Sequence, residues 1–282
     1  MKFEQASLPL RPRSLTQCLD LALLLLRAHA GPFVKLWAMI SVPACLFVYL
    51  TVYYGESSLA MGILVFWLVT PPLGMLMVAA AAPSAFGESP TVRSTFKCLG
   101  SSGWLLLIKL WGVRLLAPPL ALFGIIPGAW LLVRAGFLTE QAVLSRLDKK
   151  LHDRRTSELL QGELVDLLVR GALITGYCAI LCGVVFLTCD LLAWSMSFPI
   201  LIGRIAEGID PQYFETDEIT NAVWLVLTTD PVVVTALLAV ALALYPVGRL
   251  AWLLCYVDLR VRRDCWDMEL QILQETRRLE EG

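Results

Sequence analysis

Hydrophobic positions along the chain fall into six long runs separated by short polar segments. A helix that crosses a bilayer core of about 30 Å needs about 20 apolar residues at 1.5 Å per residue. Lipid offers no partner for backbone amides, so such runs are expected to be helices. The pattern predicts an all-α, polytopic membrane domain over residues 1–256. Its six transmembrane helices are predicted at residues 36–54, 59–82, 104–123, 129–144, 167–192 and 231–255.

Composition agrees with this interpretation. The 282 residues are 57% hydrophobic with a mean hydropathy of +0.70, and only 17% are charged. A soluble domain carries about a quarter charged residues. Asp230 before Pro231 has the form of a helix N-cap followed by a first-turn proline, so residues 219–228 are expected to be a separate short helix or a loop.

The distribution of Lys and Arg predicts the orientation. Most of the 23 lie in the N-terminal segment, in the second and fourth connections, and in the C-terminal tail. Only Arg204 lies in a loop on the opposite side, and the rest of its loop is acidic. Positive loops remain in the cytoplasm, so both termini are predicted to be cytoplasmic.

Three stretches on the predicted cytoplasmic side, at residues 14–29, 91–99 and 154–168, are amphipathic. They are expected to be surface helices that contact anionic headgroups or pack on the bundle; both remain open. Residues 257–282 form a charged helical tail whose apolar stripe either binds a partner helix or packs on its own protein. The cations expected to face lipid or a partner are Arg13, Arg93, Lys97, Arg154, Arg155, Arg260, Arg262 and Arg263.

Ionisable residues within the predicted spans form a candidate intramembrane polar cluster, because such residues are seldom tolerated in lipid without a role. Reflecting the third and fourth spans about the turn between them predicts a salt bridge from Glu140 to Lys109 or Arg114. Asp190 is expected to be solvated near the outer end of the fifth span. The cluster is either a set of structural ion pairs and snorkelling cations or the lining of a polar cavity. Its members are Lys109, Arg114, Arg134, Glu140 and Arg249, and Arg249 is expected to snorkel or to pair with an acid such as Asp258.

The sequence contains no recognisable set of catalytic or ligand-binding residues. Its two histidines, His29 and His152, are far apart, and no His or Cys has metal-ligand spacing around the eight cysteines. There is no glycine-rich phosphate loop, and the basic residues are spread over several segments. We therefore expect no enzymatic activity, no cofactor, no metal site and no nucleic-acid partner.

Three stretches of the chain together form a recognisable pattern. They are residues 11–15 with 20–22, then 126–128, Glu140 and 155–162, and finally 256–263 with Asp267, Glu269 and Leu270. These stretches resemble one family, the membrane domain fused to some bacterial glycerophosphodiester phosphodiesterases and its standalone relatives, although Thr156, Cys265 and Trp266 depart from the family pattern. The resemblance implies a six-span bundle with surface helices in a bacterial plasma membrane. It does not imply the esterase activity, which belongs to a separate soluble domain.

Two functions are compatible with these features. The first is a non-catalytic scaffold or accessory subunit of a membrane complex, with membrane lipids and, through the C-terminal helix, another protein as partners. The second is a transporter or lipid-handling protein that uses the charged residues of the third, fourth and sixth spans. The sequence indicates no oligomeric state.

Overall fold

The computed structural model describes most of the chain. It covers residues 13–55, 58–85, 90–100, 102–122, 125–144, 149–198, 200–204 and 216–264, but not the side chains of residues 85, 102, 121, 125–126, 129, 134, 144, 149–164, 216–219 and 263–264. The predicted C-terminal tail therefore lies outside the described residues from position 265 onward.

All regular elements in the described ranges are helical. The main helices are α1 (Leu15–Ala28), α2 (Ala30–Gly55), α3 (Leu59–Ala85), α4 (Val92–Leu99), α5 (Ser102–Leu122), α6 (Ile125–Gly136), α7 (Leu138–Leu144), α8 (Lys149–Ser195), α9 (Thr216–Thr229) and α10 (Pro231–Asp264).

Five of these helices, α2, α3, α5, α8 and α10, are long and apolar enough to cross a membrane. They contain the first, second, third, fifth and sixth predicted spans. The fourth predicted span, residues 129–144, is not one continuous helix, because α6 ends at Gly136 and α7 begins at Leu138, with Phe137 between them. With 12 residues, α6 rises about 18 Å and is too short to cross a bilayer core by itself.

The polar segments that flank these helices follow the prediction in part. The expected helices α1 and α4 begin with capping boxes, in which the side chains of Ser14 and Thr91 accept hydrogen bonds from the first turn. Asp230 caps α10 as expected, because its carboxylate accepts the backbone N–H groups of Val232 and Val233. Residues 154–168 are not a separate surface helix, since they lie inside the 47-residue helix α8.

The chain divides into two compact units, and α2, α3, α8 and α10 each contribute residues to both. Unit 1 comprises residues 1–36, 71–175 and 246–282, and unit 2 comprises residues 37–70 and 176–245.

In unit 1, the second half of α3 is buried on all sides. Leu73, Met77 and the small residues Ala79, Ala80 and Ala81 are all fully buried. Small side chains allow helix backbones to approach closely, which increases van der Waals contact between helices.

The break between α6 and α7 also lies in the core of unit 1. Phe137 is fully buried and stacks on Trp252 with ring centroids 4.8 Å apart, and its ring lies 5.0 Å from that of Tyr256. Gly136 and Gly171 leave room for the Trp252 indole, because a Cβ atom at either position would lie 2.9 Å or 3.3 Å from it. The two glycines thus form the slot that holds this tryptophan.

In unit 2, Phe186, Leu201 and Val233 form the centre of a second apolar core. A specific polar contact joins α2 to α10, where the Trp37 indole N–H donates to the carbonyl oxygen of Leu242 at 3.0 Å. Pro246, four residues later in α10, has no N–H to offer that carbonyl. Trp37 therefore replaces the hydrogen bond that the proline removes.

We predict that Gly136→Ala destabilises the protein by about 1–3 kcal/mol, because the added methyl group overpacks the Trp252 slot. Gly183→Ala is the control, since nothing lies within 4 Å of a Cβ atom there and alanine favours the helix by about 1 kcal/mol. Thermal unfolding of both variants in detergent measures the difference. An unfolding midpoint for Gly136→Ala at or above that of wild type would contradict this packing description.

Candidate functional site

The most deeply buried carboxylate of the described chain lies at the helix break. Glu140, in the first turn of α7, is fully buried, and its Oε2 accepts a hydrogen bond from Arg249 Nη2 at 2.8 Å. Arg249 Nη1 donates to the carbonyl oxygen of Gly136, the last residue of α6, at 3.1 Å. One guanidinium therefore neutralises the acid and also satisfies a carbonyl at the helix end.

The spacing of residues along α10 explains how this arrangement forms. Arg249, Trp252 and Tyr256 are three and four residues apart and share one face of the helix. This face presents the guanidinium to Gly136 and Glu140 and presents both aromatic rings to Phe137. The polar contact and the aromatic stack are thus parts of a single contact between α10 and the α6–α7 junction.

The pairing differs from the one predicted for the intramembrane cluster. Glu140 was expected to pair with Lys109 or Arg114, and Arg249 with lipid headgroups or Asp258, but the structure pairs Glu140 with Arg249. The Lys109 side chain is exposed on α5. The side chain of Arg134 is outside the described part, and Arg114 is partly buried with contacts of its own. The prediction was wrong because it considered only partners on the neighbouring third span, whereas Arg249 lies 109 residues away from Glu140 in sequence.

Two polar atoms beside this pair have no hydrogen-bond partner among the described residues. They are Glu140 Oε1 and the Thr139 hydroxyl oxygen, both in residues that are almost completely buried. An unsatisfied buried acceptor is costly, so the burial of Glu140 is only partly compensated by Arg249.

A second polar cluster, the Asp258 cluster, joins three parts of unit 1. Asp258 Oδ1 accepts the backbone N–H of Arg13 at 2.6 Å and Arg262 Nε at 3.1 Å, and Oδ2 accepts Arg170 Nη1 at 2.9 Å. Arg262 also donates to the carbonyl oxygen of Arg13 at 2.7 Å, and Arg170 forms a further ion pair with Asp166 at 2.7 Å. Asp258 is 2% exposed, and both of its oxygens are engaged.

This cluster corrects several predictions for the candidate lipid- or partner-facing cations. Arg13 and Arg260 are buried within the chain, 5% and 7% exposed, and so do not face lipid or a partner. Arg262 is part-exposed but is committed to Asp258 and to the backbone of Arg13. The side chains of Arg154, Arg155 and Arg263 lie outside the described part.

The sequence reasoning missed Arg170 and Asp166 as members of a polar cluster. Their spacing of four residues at the start of an apolar run was the available signal, because such a pair shares a helix face. Arg93 and Lys97, in contrast, are exposed on α4 as expected.

In unit 2, the two acidic residues whose side chains the structure describes, Asp190 and Asp230, also have partners. Asp190 is 1% exposed, and its two oxygens accept the backbone N–H groups of Leu201 and Ile202 at 2.8 and 3.1 Å. It is therefore not solvated as predicted but anchors the chain that follows α8. Arg204 forms a salt bridge with Asp230, the N-cap of α10. Within the described ranges, no three His, Cys, Asp or Glu side chains are grouped as metal ligands.

Comparisons with protein-family models, with curated proteins and with solved structures found no match to this chain. The class of protein therefore follows from the chain itself. It is an all-helical protein with five helices that could cross a membrane, and it buries several carboxylates in contact with internal donors.

We predict that Arg249→Met destabilises the protein by about 3 kcal/mol or more, because it leaves the Glu140 carboxylate buried without its cation. Adding Glu140→Gln should restore much of the loss, because the double variant has no unpaired charge. Thermal unfolding of wild type, both single variants and the double variant measures the coupling.

Lys109→Met is the control, since this exposed lysine has no ion pair with any described residue, and it should leave the unfolding midpoint nearly unchanged. Additive effects of the Arg249 and Glu140 substitutions would show that the pair does not act as a unit.

Proposed function

We propose that this chain is a non-catalytic integral membrane protein that serves as a scaffold or accessory subunit of a complex in a bacterial plasma membrane. The observation that carries the proposal is that the buried carboxylates Glu140, Asp190 and Asp258 are bonded to groups of the protein itself. Acids that line a substrate route need oxygens free to exchange partners, whereas five of these six oxygens have internal donors. Such pairing favours a structural role.

The distribution of charge over the two units supports a cytoplasmic location of both termini. The segments of unit 1 contain 22 of the 23 Lys and Arg residues and 16 of the 24 acids, a net charge of +6. The segments of unit 2 contain Arg204 and eight acids, a net charge of −7. Because Lys and Arg near the ends of spans set the orientation of membrane proteins, the bias of these cations favours cytoplasmic termini.

The sixth crossing in this proposal is formed by α6 and α7 together. Residues 125–144 would extend about 30 Å as a nearly continuous helical segment, which equals the thickness of a bilayer core. Broken helices are tolerated at membrane depth where other protein groups satisfy the freed carbonyls, and Arg249 does so for Gly136. The resemblance to the membrane domain of glycerophosphodiester phosphodiesterases supports six crossings and a bacterial plasma membrane.

The partner surface in this proposal is the end of α10 and the charged segment that follows it, residues 265–282. The polar contacts of Asp258 and Arg262 attach this end of α10 to the N-terminal segment. A partner surface that begins at an attached helix end loses less conformational freedom on binding than one that begins in free chain.

A transporter or lipid-handling protein is the second candidate, and one specific observation favours it. A broken helix at membrane depth, next to an acid with an unpartnered oxygen, is the kind of site at which transporters bind ions and substrates. Glu140 Oε1 and the Thr139 hydroxyl meet this description.

We predict that a cysteine at position 139 in an otherwise cysteine-free chain does not react with a small water-soluble thiosulfonate in proteoliposomes. Thr139 is 1% exposed, and a scaffold would keep it dry. Ser58→Cys is the positive control, because Ser58 is exposed between α2 and α3. Reaction at position 139 in the folded protein would favour the transporter, since it requires a water-filled route to the Glu140–Arg249 pair.

A further inference from the structure

Helix α4 carries two cations that the contacts described so far do not use. Arg93 and Lys97 are exposed, and neither forms an ion pair with any residue that the structure describes. Arg170, Arg204, Arg249 and Arg262 all have carboxylate partners. The charges on α4 are therefore more available to a ligand than those of the four arginines, which already contact carboxylates.

The two cations lie next to an exposed aromatic side chain. Arg93, Phe96 and Lys97 are three and four residues apart and share one face of α4, and Phe96 is 47% exposed. The opposite face packs on the protein through Thr95 and Leu99, which are 1% and 8% exposed. Because this face and the capping box at Thr91 fix the helix, the three exposed side chains have a defined direction.

The position of α4 in the chain fixes its depth in a membrane. Only two residues separate its last residue, Leu99, from the start of α5 at Ser102. Two residues span at most about 10 Å, so α4 must lie close to the surface from which α5 enters the bilayer. An exposed apolar ring beside two cations at that depth is the pattern of helices that insert into the headgroup region of anionic lipids.

We propose that the Arg93–Phe96–Lys97 face of α4 is a binding site for the headgroup of an anionic phospholipid. This inference rests on the proposed location of the chain in a membrane. The Phe96 ring lies among the upper parts of the acyl chains, and the neighbouring guanidinium and ammonium groups contact the lipid phosphate. Charge complementarity selects an anionic lipid over a zwitterionic one, because each cation near an anionic surface contributes attraction that a neutral surface lacks.

The test is site-specific photocrosslinking with Phe96→p-benzoylphenylalanine. The full chain is placed in nanodiscs that contain equal amounts of phosphatidylglycerol and phosphatidylcholine with the same acyl chains. Adducts identified by mass spectrometry should be enriched at least about fivefold in phosphatidylglycerol, which corresponds to about 1 kcal/mol for one cation. In the background of R93Q/K97Q the enrichment should disappear, and in that of the charge-conserving R93K/K97R it should persist.

Ile108→p-benzoylphenylalanine is the reference position, because Ile108 is exposed on the membrane-spanning helix α5. It should form lipid adducts without headgroup preference in every background, which also shows that α5 of the charge variants is in the bilayer. The α4 site alone would be overturned if position 108 formed lipid adducts while position 96 formed protein adducts, no adducts or adducts without headgroup preference. Enrichment at position 96 that survives R93Q/K97Q would also overturn it. Absence of lipid adducts at both positions would overturn the membrane location as well.

Discussion

Hydrocarbon offers no hydrogen bonds, so every polar group that a membrane helix buries needs a partner inside the protein. Two contacts show how this chain meets the requirement. The Trp37 indole takes the Leu242 carbonyl that Pro246 leaves without a donor, and Arg249 takes the Gly136 carbonyl at the end of α6. In both cases a side chain from a second helix donates a hydrogen bond to a carbonyl oxygen that lacks its usual helical donor. The position of that carbonyl therefore becomes a specific point of contact between helices.

The same requirement explains the buried charges. Asp258 is compatible with burial because two arginines and a backbone N–H surround it, and Glu140 because Arg249 neutralises it. Removing one partner from such a group leaves a charge that neither lipid nor neighbouring side chains can stabilise. These clusters therefore disfavour any packing of the segments that separates the partners. The exposed cations of α4 need no partner inside the protein. In the proposed account they are available to lipid, whereas the buried charges have a structural role.

The positions of the long helices could be predicted from the sequence, because hydropathy is a local property and five of the six expected spans lie inside helices of the structure. The caps at Ser14 and Asp230 were equally local signals. The break at Phe137 could not be predicted in this way, since it depends on Trp252 filling a slot between glycines 35 residues apart. The Arg249–Glu140 pair was missed for the same reason, because pairing at long sequence separation is decided by how helices pack.

We propose a membrane bundle whose termini are both cytoplasmic, and labelling of single cysteines in intact bacterial cells tests this central claim most directly. In a cysteine-free chain, Thr16→Cys would report on α1 and Ser58→Cys on the α2–α3 connection, since both positions are exposed. A membrane-impermeant maleimide should label position 58 in intact cells and position 16 only after permeabilisation. Labelling of position 16 in intact cells, or of position 58 only after permeabilisation, would contradict the account.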